Sequence, residues 1–236
     1  MARGSTRPGS QFLTIRRRGR DSSAVLSGGQ REPARANRIQ RNDARVGRTV
    51  LGVAYLLHLN GPPGIGKSTI ARRYADEHPG VLNCDIDVLR TLIGGWSNDF
   101  AKAGSLIRPA ALGMIEAFLA SGHSVVLPQL LTDPAEVSLF ESCAVRTNAR
   151  FIERILMDSP ERSVERFNLR AETDPATSWH SQVQAIVAAQ GGEYALRDRH
   201  TALQALPEQR PNAMIIESSE GAVEDTFQRL LVSLAE

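Results

Sequence analysis

The sequence predicts an α/β fold of three layers: a five-stranded, mostly parallel sheet with helices on both faces, a small helical lid, and a disordered basic tail ahead of it. Three observations carry this prediction. Short apolar runs alternate with segments of helical period from residue 50 onward, an order that yields parallel strands joined by crossover helices. The loop after the first apolar run is glycine-rich and opens into a helix-compatible stretch. Composition also changes abruptly near residue 50.

The elements follow in order. Val53–Leu59 is the first strand, closed by Asn60-Gly61-Pro62-Pro63-Gly64, and a helix runs from Lys67 to about His78. The run Val81–Cys84 is the second strand and ends in Asp85-Ile86-Asp87. Ala111, Ile115, Phe118 and Leu119 are spaced as one face of an amphipathic helix, and Ser124–Leu127 is the third strand. Asp133-Pro134 opens another helix, with Asp133 as cap and proline where its missing N–H costs nothing. The same device recurs at Ser159-Pro160, after a fourth strand at Phe151–Met157. Helices are expected at 160–171, within 178–190 and within 193–205, then a fifth strand at Ala213–Ile216 and a closing helix from about Val223.

A chain of 236 residues suffices for one well-buried α/β domain with an appendage, but hardly for two domains. Residues 1–50 hold twelve arginines against three acids, a net +9, which leaves residues 51–236 at −7 with sixteen basic and twenty-three acidic side chains. The tail lacks a sustained period and bulky apolar residues and is expected to be disordered. A nucleic-acid arm, an organelle presequence and a stretch without function compete for it. The last is preferred, because Arg outnumbers Lys 26 to 2 over the whole chain, as a codon bias would produce. Protein from its natural source is then expected to begin near Leu51 to Tyr55, which intact mass would check. Two cysteines, Cys84 and Cys143, make neither a disulfide framework nor a metal cluster. No stretch approaches the ~20 apolar residues of a bilayer span, and no secretory signal precedes the domain. A soluble, cytoplasmic protein without membrane contact is expected.

Gly61-Pro62-Pro63-Gly64-Ile65-Gly66-Lys67-Ser68 satisfies the phosphate-loop pattern G-x-x-x-x-G-K-[ST] at every fixed position. Chance alone produces such a match in about one chain in a hundred of this length, and the strand and helix on either side reduce that further. Glycines let the backbone wrap around phosphate oxygens, while the loop N–H groups and the positive end of the helix stabilise the anion. Lys67 is expected on the β- and γ-phosphates, Ser68 on Mg²⁺ and Thr69 on the α-phosphate. ATP or GTP binding follows, with ATP and Mg²⁺ as the cofactors.

The loop does not settle the reaction. A motor-type ATPase needs an apolar strand ending in paired acids, and here the Ser124–Leu127 strand ends in Pro128-Gln129. Asp158 also ends a strand but reads as part of the turn into the next helix. Asp85 and Asp87 remain, at the carboxyl end of the second strand, where α/β sites form. One of them can accept the proton of an attacking hydroxyl while the other supports Mg²⁺ or orients the substrate, or the pair belongs to an ordinary acidic loop or a helix cap for Val88–Ile93. Arg162, Arg166 and Arg170 lie on one helix face and can close over the triphosphate, or else form a solvated face with Glu161 and Glu165. Arg166 and Arg170 are the preferred lid arginines. Trp96, Trp179 and His58 read as packing residues.

GPPGIGKST, then Asp85-Ile86-Asp87 with Val88-Leu89-Arg90, then a late Arg-x-x-x-Arg, resembles the P-loop kinase-like ATPases. This group includes zeta toxins, tunicamycin-resistance ATP-binding proteins, chloramphenicol phosphotransferases, gluconate kinases and polynucleotide 5′-hydroxyl kinases. The resemblance spans about residues 53–236 and is strongest at the loop. It implies a P-loop NTPase fold and, from the Asp-x-Asp of zeta toxins, whose second acid acts as the base, that role for Asp87; Asp85 is then the carboxylate expected at the metal. Ser178-Trp179 with Gln182, and the Val125–Pro128 strand, look more like the tunicamycin-resistance proteins. Zeta toxins carry an acidic substrate-binding residue after the third strand, where Pro128-Gln129 stands here, which speaks against a nucleotide-sugar substrate. Arg90, Arg108 and Gln129 are the substrate-side candidates, each with a structural alternative.

The first reading is an ATP:hydroxyl phosphotransferase acting on a small molecule, with Lys67, Asp87, Arg166 and Arg170 in the catalytic set. An ATP-binding regulatory module with little chemistry is the second reading. A polynucleotide 5′-hydroxyl kinase is disfavoured by the −7 charge of residues 51–236, because phosphate backbones need cationic grooves. Nucleic acid is expected to meet only the tail, and non-specifically.

Overall fold

The structure, a computed structural model, describes residues 52–173 and 178–235, with side chains outside 170–173 and 178–180. The expected tail lies outside the described residues. Five strands form one sheet, β1 (Tyr55–Asn60), β2 (Leu82–Asn83), β3 (Val125–Pro128), β4 (Arg150–Met157) and β5 (Met214–Glu217), in the order β2-β3-β1-β4-β5. Every pairing is parallel, with Leu56 opposite both Val125 and Phe151. The helices are α1 (Lys67–Glu77), α2 (Ile86–Arg90), α3 (Phe100–Ala120), α4 (Pro134–Arg146), α5 (Pro160–Thr173), α6 (Ser178–Ala189), α7 (Glu193–Gln209) and α8 (Val223–Ala235).

β1 lies at the centre and is fully buried, so its alternating side chains feed both faces. Tyr55, Leu57 and Leu59 join Ile70, Ala71 and Tyr74 of α1 and Phe227 and Leu230 of α8 on one face. Leu56 joins Ile107, Ala111 and Ile115 of α3 and Val137 and Phe140 of α4 on the other. A smaller apolar group, with Val164 and Phe167 of α5, Val183 and Val187 of α6 and Leu196 of α7, holds the helical lid together. α7 also covers the sheet, where Leu203 and Leu206 pack against Ile155 and Met157 of β4.

Both proline devices form as the sequence predicts. Asp133 accepts a hydrogen bond from the Ala135 N–H and Pro134 begins α4. Ser159 Oγ accepts from the Arg162 N–H and Pro160 begins α5. The second strand shrinks to two residues, because Asp85 accepts from the N–H groups of Asp87 and Val88 and starts α2. α3 corrects the expectation that no stretch has spanning length: it has 21 residues and a mean hydropathy of 1.3 over its most apolar window. Its alanines and glycines make it apolar in composition, yet its buried face packs in the core and its charges pair with α4, Arg108 with Glu136 and Glu116 with Arg146. Cys84 and Cys143 are buried free thiols.

Candidate active site

The phosphate loop runs from β1 into α1 and takes the backbone its glycines allow. Gly61, Gly64 and Gly66 have φ of 142°, 82° and 104°, a region that side-chain-bearing residues rarely enter. Gly61 is further constrained, since a Cβ there would stand 2.5 Å from the Leu156 carbonyl oxygen. Lys67 Nζ spans the loop and donates to the Gly61 and Pro62 carbonyls at 2.8 and 3.0 Å. Asn60, fully buried, braces the loop from below. Its Oδ1 accepts from the Gly61 and Leu131 N–H groups and its Nδ2 donates to the Leu131 carbonyl.

Two clefts flank this loop. One contains Lys67 and Ser68 together with Asp87, Arg90, Phe100 and Gln129. The other contains Thr69 and Arg166 together with Leu169, Ser218, Glu220 and Val223. The structure therefore separates the sequence candidates. Asp85 is spent on capping α2 and is 8% exposed, whereas Asp87 shares the cleft of Lys67 and Ser68. Arg108 stands on α3 paired with Glu136 at 2.8 Å; it lines neither cleft, although its charge lies near enough to Arg90 to add to the lowering of that group's pKa. The Arg170 side chain lies outside the described residues, as does that of Trp179.

Burial, the main influence, pushes the Asp87 carboxyl above its ordinary value; Arg90 opposes this, the charge of Asp85 adds to it and Lys67 opposes it. Arg90 Nη2 is 3.2 Å from Asp87 Oδ1. Its guanidinium lies over the Phe100 ring at 3.7 Å, and burial, partly offset by Asp87, lowers its pKa. Gly104 admits this packing, since a Cβ there would meet Arg90 at 3.0 Å.

Arg166 is a clamp between loops. It donates to the Ser218 carbonyl at 2.7 Å and to the Ile65 carbonyl at 3.0 Å, with Asp158 at 3.4 Å. Ser218 Oγ donates to the same Ile65 carbonyl. Behind Gln129, His58 Nε2 bonds the Gln129 carbonyl at 2.9 Å, and His58 Nδ1 faces Glu153 at 3.6 Å. Glu153 in turn pairs with Arg210 at 2.6 Å. Although burial favours its protonated form, His58 and Arg210 hold the Glu153 carboxyl below its usual range. His58 is thus buried, as expected, but it also supports the Gln129 wall of the first cleft.

Sequence reasoning missed Asn60, Phe100, Phe167 and Ser218. Ser218 follows the last strand at its carboxyl end, the place where α/β sites gather, so that signal was present. Phe100 and Phe167 carried none beyond their residue type.

A family profile described as an AAA domain, AAA_33, matches residues 56–190, more than half of the chain. Among solved structures the chain is similar to a gluconokinase from Sinorhizobium meliloti 1021, with 15% identity, a TM-score of 0.52, and 78% of this chain and 93% of that one covered. It is also similar to the tunicamycin resistance protein of Deinococcus radiodurans, with 18% identity, a TM-score of 0.53, and 77% and 95% covered. No curated protein matches it in sequence. At these identities the likeness concerns the fold, which is that of the P-loop kinase-like proteins.

Proposed function

Since the chain belongs to the AAA_33 family of AAA domains, we propose that it is a kinase that moves the γ-phosphate of ATP onto a hydroxyl of a small molecule. One observation carries the reading: a carboxylate, Asp87, faces the cleft of Lys67 and Ser68, while a second cleft opens on the other side of the same loop. Two substrates can then meet across one phosphate. The gluconokinase among the structural neighbours fits a phosphotransfer reading at the level of fold.

The nucleoside would occupy the cleft of Thr69, Arg166 and Ser218, with the phosphates on the loop N–H groups and Lys67. Asp87 would accept the proton of the attacking hydroxyl as that oxygen bonds to the γ-phosphorus and the bond to the bridging oxygen breaks, leaving ADP. A carboxyl pushed upward by burial is a better proton acceptor than a free one, provided it stays ionised. Arg90 keeps it so and holds its orientation. Mg²⁺ fits this side, because the Ser68 hydroxyl lines the cleft and would hold the ion with water and phosphate oxygens completing its shell, so that Asp87 stays free to take the proton. When bound, it neutralises charge on the transferring phosphates. Asp85, engaged in capping, would act through α2, by setting where Asp87 stands.

The test is ³¹P NMR of Mg-ATP with the full chain and a pool of hydroxyl compounds, beside Asp87→Asn. A phosphomonoester signal that the variant loses is the expected outcome. Slow ADP and phosphate release, equal in both proteins and indifferent to the pool, would instead favour a regulatory ATP-binding module.

A further inference from the structure

We infer that the phosphate acceptor is an uncharged alcohol with an apolar body, oriented by a second polar group that meets the carboxamide of Gln129; this rests on the kinase reading above. Three features of the acceptor-side cleft carry it.

The first is how the cations are engaged. Among the described residues, Lys67 and Arg90 are the cations that line this cleft. Lys67 belongs to the phosphate loop and bridges its carbonyls. Arg90 is paired with Asp87 at 3.2 Å, laid over Phe100 at 3.7 Å and pressed against the α3 backbone at Gly104. Its Nε is buried without a hydrogen-bond partner, so the guanidinium sits where packing holds it. An anionic acceptor would have to draw Arg90 away from Asp87 and bring its own charge beside that carboxylate, at the cost of like-charge repulsion in a partly buried site.

The second is the lining. Phe100 of α3, Pro128 and Leu130 line it together with Phe167 and Val183 of the lid, and Gln184 is the lid's polar side chain there. Five apolar side chains against the carboxamides of Gln129 and Gln184 suit a ring or an aliphatic body with few polar groups and leave most hydroxyls of a fully polar sugar acid without partners.

The third is Gln129. It is 9% exposed and lines the cleft, and its Oε1 has no hydrogen-bond partner. Its backbone is held on both sides, the N–H by the Leu59 carbonyl at 3.1 Å and the carbonyl by His58 at 2.9 Å. A carboxamide anchored at its root with bonding capacity unspent recognises a neutral donor or acceptor, whichever way the amide turns. It has no charge with which to compensate an anion.

The test uses the full chain, Mg-ATP and matched hydroxyl compounds: phenyl β-glucoside, phenyl β-glucuronide and methyl β-glucoside, with a nucleoside and its 5′-monophosphate. ³¹P NMR follows each new phosphomonoester. The expected result is transfer to the neutral aryl glycoside or the nucleoside at least about tenfold faster than to its anionic partner or to the methyl glycoside. Faster transfer to the glucuronide or monophosphate, or equal transfer to the methyl glycoside, overturns the inference while the kinase reading stands. Transfer to none of them overturns both. For the acceptor found, Gln129→Met should raise its KM about tenfold more than the KM for ATP, the effect of one lost hydrogen bond. Equal changes in the two constants would remove Gln129 from the assignment.

Discussion

The two sides of the phosphate loop are built on different terms. In the cleft proposed for the nucleoside, Arg166 and Ser218 hold the loop through its main chain, converging on the Ile65 carbonyl. In the cleft proposed for the acceptor, Asp87 and Arg90 are held by packing and by each other and Gln129 by its backbone bonds to Leu59 and His58, with polar atoms at Arg90 Nε and Gln129 Oε1 left unbonded. A side fixed through backbone carbonyls depends little on which residues surround it, so it serves a substrate that stays the same. A side built from side chains can be altered one residue at a time, and on the kinase reading proposed above acceptor choice belongs there.

This contrast can be broken by substitution. The largest expected effect is on the acceptor side. Asp87→Asn should lower transfer about 10²- to 10⁴-fold, the range for losing a general base, with the dissociation constant for ATP little changed in calorimetry. A parallel loss of ATP affinity would show that the two sides are not separate. Arg166→Ala should act in the opposite sense. It leaves the Ile65 and Ser218 carbonyls without a charged donor, costing about 1.5–3 kcal/mol for each bond. Urea unfolding should show the loss and ATP affinity should fall, and Arg166→Lys should not restore it, because one ammonium cannot span both carbonyls as a planar fork does.

A smaller effect is expected in pH dependence. A base works when ionised, so kcat should rise with pH through the Asp87 pKa, which burial places above the ordinary 3.8. Arg90 opposes that rise, so Arg90→Gln should move the acid limb of the kcat profile to higher pH. An unmoved limb would mean that Arg90 does not set the charge state of Asp87. The smallest effect belongs to Gly104→Ala. Helix propensity gains about 0.5–1 kcal/mol, while the new methyl displaces the Arg90 guanidinium. Stability should therefore change by less than about 1 kcal/mol, and kcat should fall about three- to tenfold as Asp87 loses its alignment.

Much of this arrangement was legible in the residues. Gly61 to Thr69 could be read because phosphate binding by a backbone leaves a spacing rule, and the sheet could be read because its strands are short, mainly apolar runs between segments of helical period. Asp87 was identifiable as one of a pair, but its separation from Asp85 was not. That division depends on α2 beginning at once after β2, so that Asp85 turns to the Asp87 and Val88 N–H groups. The three arginines of α5 shared one face in sequence, yet Arg166 became a clamp because Ser218 and Ile65, 52 and 101 residues distant, present carbonyls to it. Contacts of that range leave no periodicity. Gln129 stood out for the acid missing from its place, while its hold on His58 came from a side chain that sequence could only read as buried.

Asn60 bonds the first residue of the phosphate loop and the acceptor-side loop through one carboxamide. Donor and acceptor strands are thereby riveted into a single jaw, whose gap is set before either substrate arrives. Whatever adjusts to the size of a guest must then be the opposite jaw, the α5–α6 helices, where Gln182 reaches across to the Ser97 carbonyl at 2.8 Å. Variation in α6 should accordingly retune which guests are accepted without altering the spacing at which phosphate is handed over.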